Sequence, residues 1–307
     1  MQVLEVKNLT KRFGELTAVD NVNFAINENS IFGLIGRNGA GKTTTIRMLM
    51  NIYLPDEGEI LFRGEKVNEK FKERIGYLPE ERGLYKKMKV LDTILFFAEI
   101  KGKRGKEIKR RALEYLDKFN LLDRAYSTIQ DLSKGNQQKV QFITSIIHEP
   151  DFVILDEPFS GLDPVNTELL KDIILEMKNK GKIIILSTHL MDYAERLCDD
   201  IALIHHGKII LKGNLTEIKE KFSRGRIIVE HENPIDFIRE APFVSSFNTS
   251  GHKSEIKLTD ENKTNELIEL LLKKNVQIRS ISVNNISLQE IFITLAGDEN
   301  AEVNSNE

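Results

Sequence analysis

Three observations predict an α/β fold: a phosphate-binding-loop core with a flanking antiparallel β element, followed by a small α+β, ferredoxin-like domain. Short apolar runs rich in β-branched residues (31–35, 152–155, 183–186) alternate with longer amphipathic segments such as 106–119 and 167–180. Such runs suit strands covered on both faces of a parallel sheet. The first run leads directly into Gly36-Arg37-Asn38-Gly39-Ala40-Gly41-Lys42-Thr43-Thr44, which fits G-x-x-x-x-G-K-[ST]. From residue 226 the order strand, helix, strand, strand, helix, strand is the ferredoxin-like pattern.

Along the chain, residues 3–9, 18–26 and 58–62 alternate polar and apolar and predict the antiparallel element. Residues 201–211 hold His205-His206-Gly207-Lys208 between two apolar runs and predict a hairpin, with the two histidines as polar turn residues. In the last part, strands are expected at 226–230, 244–249, 255–258 and 278–283. Helices are expected at 234–240, 263–274 and, short, at 287–295. The expected division is a core domain over 1–215, a small domain over 216–297 and an acidic disordered tail over 298–307.

Composition narrows the function classes. The 307 residues carry a formal net charge of −3, so no basic excess points to nucleic acid. Cys198 is the single cysteine, which rules out an internal disulfide and predicts a space-filling thiol. The opening MQVLEVKNLTKRF lacks the apolar core of a secretory signal, and no apolar run approaches the roughly 18 residues of a membrane span. Another chain would have to supply the membrane part of any membrane process.

The loop at 36–44 has a mechanical logic. Glycines let successive backbone N–H groups turn inward onto phosphates, Lys42 brings a compact positive charge, and Thr43 offers a hydroxyl to Mg²⁺. A helix starting there adds its positive end. Residues 152–155 are followed by Asp156 and Glu157, so the strand carries two carboxylates to its C-terminal edge, where open α/β sheets bind ligands. Asp156 is the natural Mg²⁺ partner. Glu157 would face the other way by strand alternation and polarise the attacking water. His189, after the apolar run and Ser187-Thr188, would emerge at the same edge and contact a terminal phosphate.

With these residues in place, the chain resembles the ABC ATPases. Leu132-Ser133-Lys134-Gly135-Asn136 resembles that family's signature, Ser160-Gly161-Leu162-Asp163 its D-loop, and Phe13 its adenine-stacking aromatic. The resemblance covers about residues 1–215. It implies a helical subdomain inserted in the core, ATP and Mg²⁺ as ligands, and ATP hydrolysis. It also implies a head-to-tail homodimer or heterodimer in which Ser133 and Gly135 of one subunit complete the other's γ-phosphate site. Lys134 and Asn136 depart from the family pattern, as does Glu80, which stands where the family carries a glutamine that reaches metal and water. Glu80 is expected to ligate Mg²⁺ and to touch the catalytic centre. The run 77–85 and the small C-terminal domain resemble ATPases of type-2 exporters, sodium-efflux ATPases among them.

The resemblance implies integral membrane permease subunits as partners and a peripheral place on the cytoplasmic face of the membrane. Leu84, Tyr85, Met88 and Val90 are expected to be exposed where such a partner docks. The alternative is a soluble ABC ATPase acting on ribosomes or DNA. A GTPase is disfavoured because the guanine-reading Asn-Lys-x-Asp motif is absent.

Overall fold

Strand β1 (Gln2–Phe13) buries Leu4, Val6 and Leu9 on one side and pairs antiparallel with β2 (Leu16–Asn27). Asn8, at φ 51°, sits in the register shift between Val6 and Leu9 and keeps Leu9 pointing inward across the irregularity. The computed structural model describes residues 2–81, 83–283 and 286–304. They divide into two units, 1–213 and 214–307.

In the first unit β3 (Ile31–Ile35) is buried at every position, as its uninterrupted apolar run requires. The loop at 36–41 then leads into α1 (Lys42–Leu49). Strand β4 (Glu57–Phe62) returns to pair with β1, and β5 (Glu65–Lys66) completes an antiparallel sheet of order β2-β1-β4-β5. Helix α2 (Glu69–Glu73) precedes β6 (Ile75–Leu78). Helices α3 (Val90–Ile100), α4 (Lys106–Lys118) and α5 (Lys134–Ile146) pack pairwise on one another as a helical layer. Then follow β7 (Phe152–Asp156), α6 (Pro164–Asn179), β8 (Ile183–Thr188), α7 (Met191–Leu197), β9 (Asp200–His205) and β10 (Lys208–Asn214).

The central sheet has the order β10-β9-β3-β8-β7-β6, and the five strands from β9 to β6 run parallel. Its register sets the site. Ile35 lies beside Thr188 and Asp156 beside Ser187, so the ends of β3, β8 and β7 reach one edge together. The antiparallel sheet is fastened to the central one through aromatic pairs, Phe24 with Phe32 (5.0 Å) and Phe62 with Phe152 (5.9 Å). Each fully buried Ile or Leu in that core contributes about 1.5–3 kcal/mol. The β9–β10 turn is His206-Gly207, both at positive φ (44° and 79°), as tight hairpins favour.

The second unit opens with α8 (Leu215–Ser223), capped by Asn214. Strands β11 (Arg226–His231), β12 (Val244–Ser250), β13 (Lys253–Leu258) and β14 (Ile278–Val283) form an antiparallel sheet of order β12-β13-β11-β14. Helix α9 (Thr264–Lys273) buries Leu267 and Leu271. This is the ferredoxin-like arrangement with one departure. The helix expected at 234–240 is a 3₁₀ stretch, Asp236–Glu240. The segment is short, and its two buried anchors, Ile235 and Ile238, stand three apart, the spacing that eclipses in a 3₁₀ turn. Helix α10 (Leu288–Asn304) runs past the expected end at 295 and through most of the segment expected as a tail. Ala and Glu there favour helix. The expected tail residues 305–307 lie outside the described residues.

Candidate active site

Backbone geometry builds the phosphate-binding loop. Gly41, at φ 107°, is the N-cap of α1, and a Cβ on it would meet the Ala18 carbonyl at 2.6 Å. A Cβ on Gly36 would meet the Ile204 carbonyl at 2.3 Å. The loop is therefore seated against β2 and β9 so closely that only glycine fits at either end. Gly207 N–H donates to Ala40 O (3.0 Å), tying the loop to the β9–β10 turn. Lys42 is 5% exposed, and its Nζ donates to Gly36 O (2.8 Å) and Arg37 O (3.3 Å), folding the ammonium back across the loop mouth.

Asp156 ends β7 fully buried. Its Oδ2 accepts from Thr43 Oγ1 (3.2 Å) and its Oδ1 from Ser187 Oγ (2.7 Å). Burial raises its pKa; the two hydroxyls oppose that shift, while the negative Glu80 and Glu157 add to it.

Glu157 departs from the expected alternation. It does not continue the strand: it turns into the left-handed region at φ 47°, with its N–H donating to Ser187 O (2.9 Å). A non-glycine residue in such a conformation costs on the order of 1–3 kcal/mol, held here by the surrounding hydrogen bonds. Thr188 Oγ1 donates to Glu157 Oε2 (3.1 Å) while accepting from Leu190 N–H (3.0 Å). His189 contributes its backbone N–H (3.0 Å) and its ring Nδ1 (2.9 Å) to Oε1, and Lys42 Nζ lies 3.5 Å from the same oxygen. An ionised carboxylate only accepts, so Nδ1 carries the hydrogen. A neutral ring then presents a bare Nε2, and an imidazolium presents a second N–H.

Of these groups, Lys42, Thr43 and Glu157 line a cleft of about 610 Å³ together with Phe13, Asn38 and Glu80, among others, whereas Asp156 and His189 are not among its lining residues. Phe13 is 44% exposed and meets Tyr53 edge-on at 5.5 Å. Glu80 follows β6 and is exposed. Gly39, Gly41 and Thr44 also line the cleft, whereas Gly36, Arg37 and Ala40 are not among its lining residues. Ser133, Gly135 and Asp163 are not among them either. Ser133 caps α5 by accepting from Asn136 N–H (3.2 Å), and Asp163 caps α6 by accepting from Asn166 N–H (2.9 Å). A Cβ on Gly135 would lie 3.4 Å from Gly161 O, so the 133–135 and 160–163 segments abut each other.

Several cleft residues went unnoticed in the sequence. Thr17, Ala18, His206 and Gly207 complete the wall. His206 belongs to a tight turn, and nothing local marks it as a wall residue. Ser187 and Thr188 were more legible, as the point where an apolar strand turns polar. Val90 is corrected: it is fully buried in the first turn of α3, whereas Tyr85 is 54% exposed and packs on Phe96 and Phe97. Val90 lies on the buried side of α3 with Leu91 and Ile94, not on its exposed stripe.

Among the described residues, no group of three or more His, Cys, Asp or Glu side chains is placed to hold a metal by itself. The oxygens of Thr43, Asp156 and Glu80 are hard donors. Together with phosphate oxygens they suit a cation of the Mg²⁺ type, which favours few protein ligands.

Residues 19–160 match the ABC transporter family, and residues 213–296 match the C-terminal domain of ATP-binding proteins like DrrA1-3. The chain is 39% identical over 295 residues to the uncharacterized ABC transporter ATP-binding protein YhaQ of Bacillus subtilis (strain 168), covering 96% of this chain and 99% of that one. It is 37% identical over 220 residues to the probable multidrug ABC transporter ATP-binding protein YbhF of Escherichia coli (strain K12), covering 71% of this chain and 38% of that one. Among solved structures, a dimeric ATP-binding cassette in a post-hydrolysis state with ADP and Pi superposes with a TM-score of 0.64 at 25% identity, over 69% of this chain and 98% of that one. The fold, the loop and these likenesses define a nucleotide-binding ABC ATPase. The chain belongs to the ATP-binding proteins of ABC transporters, in the branch that carries a DrrA-like C-terminal domain.

Proposed function

We infer that this chain is the motor subunit of an exporter, closing head to tail with a second subunit on two Mg-ATP and driving separate permease subunits from the cytoplasmic face of the membrane. The observation that carries this reading is the convergence of Lys42, Thr43, Asp156, Glu157 and His189 at one sheet edge. In it Lys42 leaves the Gly36 and Arg37 carbonyls to meet the β and γ phosphates, and Phe13 stacks on the adenine. Thr43, Asp156 and Glu80 would hold Mg²⁺, which would supply charge neutralisation to the bound phosphates. Glu157 orients and deprotonates the attacking water, and Thr188 and His189 hold its carboxylate in place. The γ-phosphate side is completed by Ser133 and Gly135 of the second subunit, and Asp163 lies at the same interface. No helix among the described residues is long and apolar enough to cross a membrane. The exposed Tyr85, Phe96 and Ile100 fit an apolar segment of a permease.

The test is size-exclusion chromatography of the Glu157→Gln chain. A dimer that forms only with Mg-ATP is expected; a monomer at saturating Mg-ATP overturns the closure. Export itself is read in vesicles containing this chain with a permease that co-purifies with it: uptake into inside-out vesicles supports it, and release from them overturns it.

A further inference from the structure

Glu80 sits just beyond the end of β6, where the strand ladder no longer holds the backbone. The segment is held from another element. Gln141 of α5 is 4% exposed, and its Nε2 donates to Pro79 O (3.3 Å) and to Glu81 O (2.9 Å). A carboxamide has two N–H groups, so each carbonyl flanking Glu80 receives one. The backbone is clamped on both sides of the residue while the Glu80 side chain borders the cleft beside Lys42 and Thr43. The same helix begins at the Ser133 cap, so any shift of its N-terminal end is carried along a rigid element to the clamp.

We propose that Gln141 is a positioning residue for Glu80, setting through Pro79 and Glu81 how the Glu80 carboxylate meets the metal of bound nucleotide. This rests on the reading of Glu80 as a metal ligand given above. Gln141→Met keeps the volume and removes both donors. In the full-length chain, Mn²⁺ binding to the ATP complex is followed by electron paramagnetic resonance, and metal-free ATP affinity by a fluorescent ATP analogue. The expected result is Mn²⁺ affinity lowered roughly five- to ten-fold, the size of one neutral hydrogen bond, with metal-free ATP affinity unchanged. In a Glu80→Ala background the same substitution has no further effect on Mn²⁺. Wild-type Mn²⁺ affinity in Gln141→Met, or an undiminished second loss in the double variant, overturns the proposal. Glu80→Ala with unchanged Mn²⁺ affinity instead overturns the metal reading of Glu80 itself. Should Gln141→Met lower the thermal midpoint too far to assay, Gln141→Asn retains an amide that falls one methylene short of both carbonyls, and the same loss is expected of it.

Discussion

Glu157, the proposed base, is held in place by backbone conformation and by its neighbours. Its left-handed backbone swings it off the β7 line followed by Asp156, and Thr188, His189 and Lys42 then surround it. Replacing it with Gln keeps the shape and removes the carboxylate. Turnover is expected to fall by a factor of about 10² or more, with ATP affinity retained; steady-state phosphate release beside equilibrium binding checks this, and near-wild-type turnover removes Glu157 from the role. Lys42→Ala deletes an ammonium from a buried loop mouth. ATP binding is expected to weaken roughly ten- to hundred-fold, the range of one or two charge-assisted hydrogen bonds, as read by calorimetry. Sequence spacing alone pointed to both residues. It did not point to Thr188 as a partner of Glu157, because that contact joins residues 31 apart across two strands.

Helix termini hold the next of the candidate residues. Asp163 caps α6 with its carboxylate and belongs to the segment that abuts Gly135. Backbone and side-chain hydrogen bonds from Asn166 hold its pKa below the usual carboxylate range. Asp163→Ala is expected to lower stability through the lost cap, whereas Asp163→Asn retains most of it. Thermal unfolding separates these. If Asp163 also works across the dimer, both variants lose Mg-ATP-dependent dimerisation, and Asn does so with its unfolding midpoint intact. The strands and long helices were legible here because burial on both faces enforces unbroken apolar runs and amphipathic helices enforce a 3.6 period. The 3₁₀ stretch at Asp236–Glu240 was not, since so short a segment, anchored by Ile238 and by Ile235 just before it, satisfies either helix type until the neighbouring strands fix the space available.

The two units support separate predictions. Every residue of the cleft lies within 1–213. A 1–213 fragment is therefore expected to bind ATP with the affinity of the full chain; a more than ten-fold loss, or failure of that fragment to fold, contradicts it. In the second unit Arg226, 8% exposed, donates to Glu255 and Glu290 (2.5 Å each) and joins β11, β13 and α10. The hydrogen bond from Arg226, with those from Ser287, lowers the Glu290 pKa to about 2 from 4.5. A depressed carboxylate stabilises the folded state above its unfolded value, so this contribution is whole above about pH 4.5 and is lost as pH falls towards 2. Glu290→Gln is expected to flatten the acid limb of unfolding over that window, followed by circular dichroism of the second unit.

What the amino-acid order determined was local: the glycine spacing and lysine of the loop, the buried strand ending in Asp156-Glu157, and the βαββαβ succession. Each follows from a period or a spacing that neighbouring residues alone impose. Tertiary structure decided which of these meet. Parallel register brings Asp156 beside Ser187 and Ile35 beside Thr188, Gln141 reaches the Glu80 segment from a helix 60 residues away, and the β9–β10 turn closes the loop from behind. Ser133 and Gly135 do not line this chain's own cleft; the expectation assigned them to a second subunit's site. Their place is set by where α5 packs, a matter of long-range side-chain fit that no short sequence window contains.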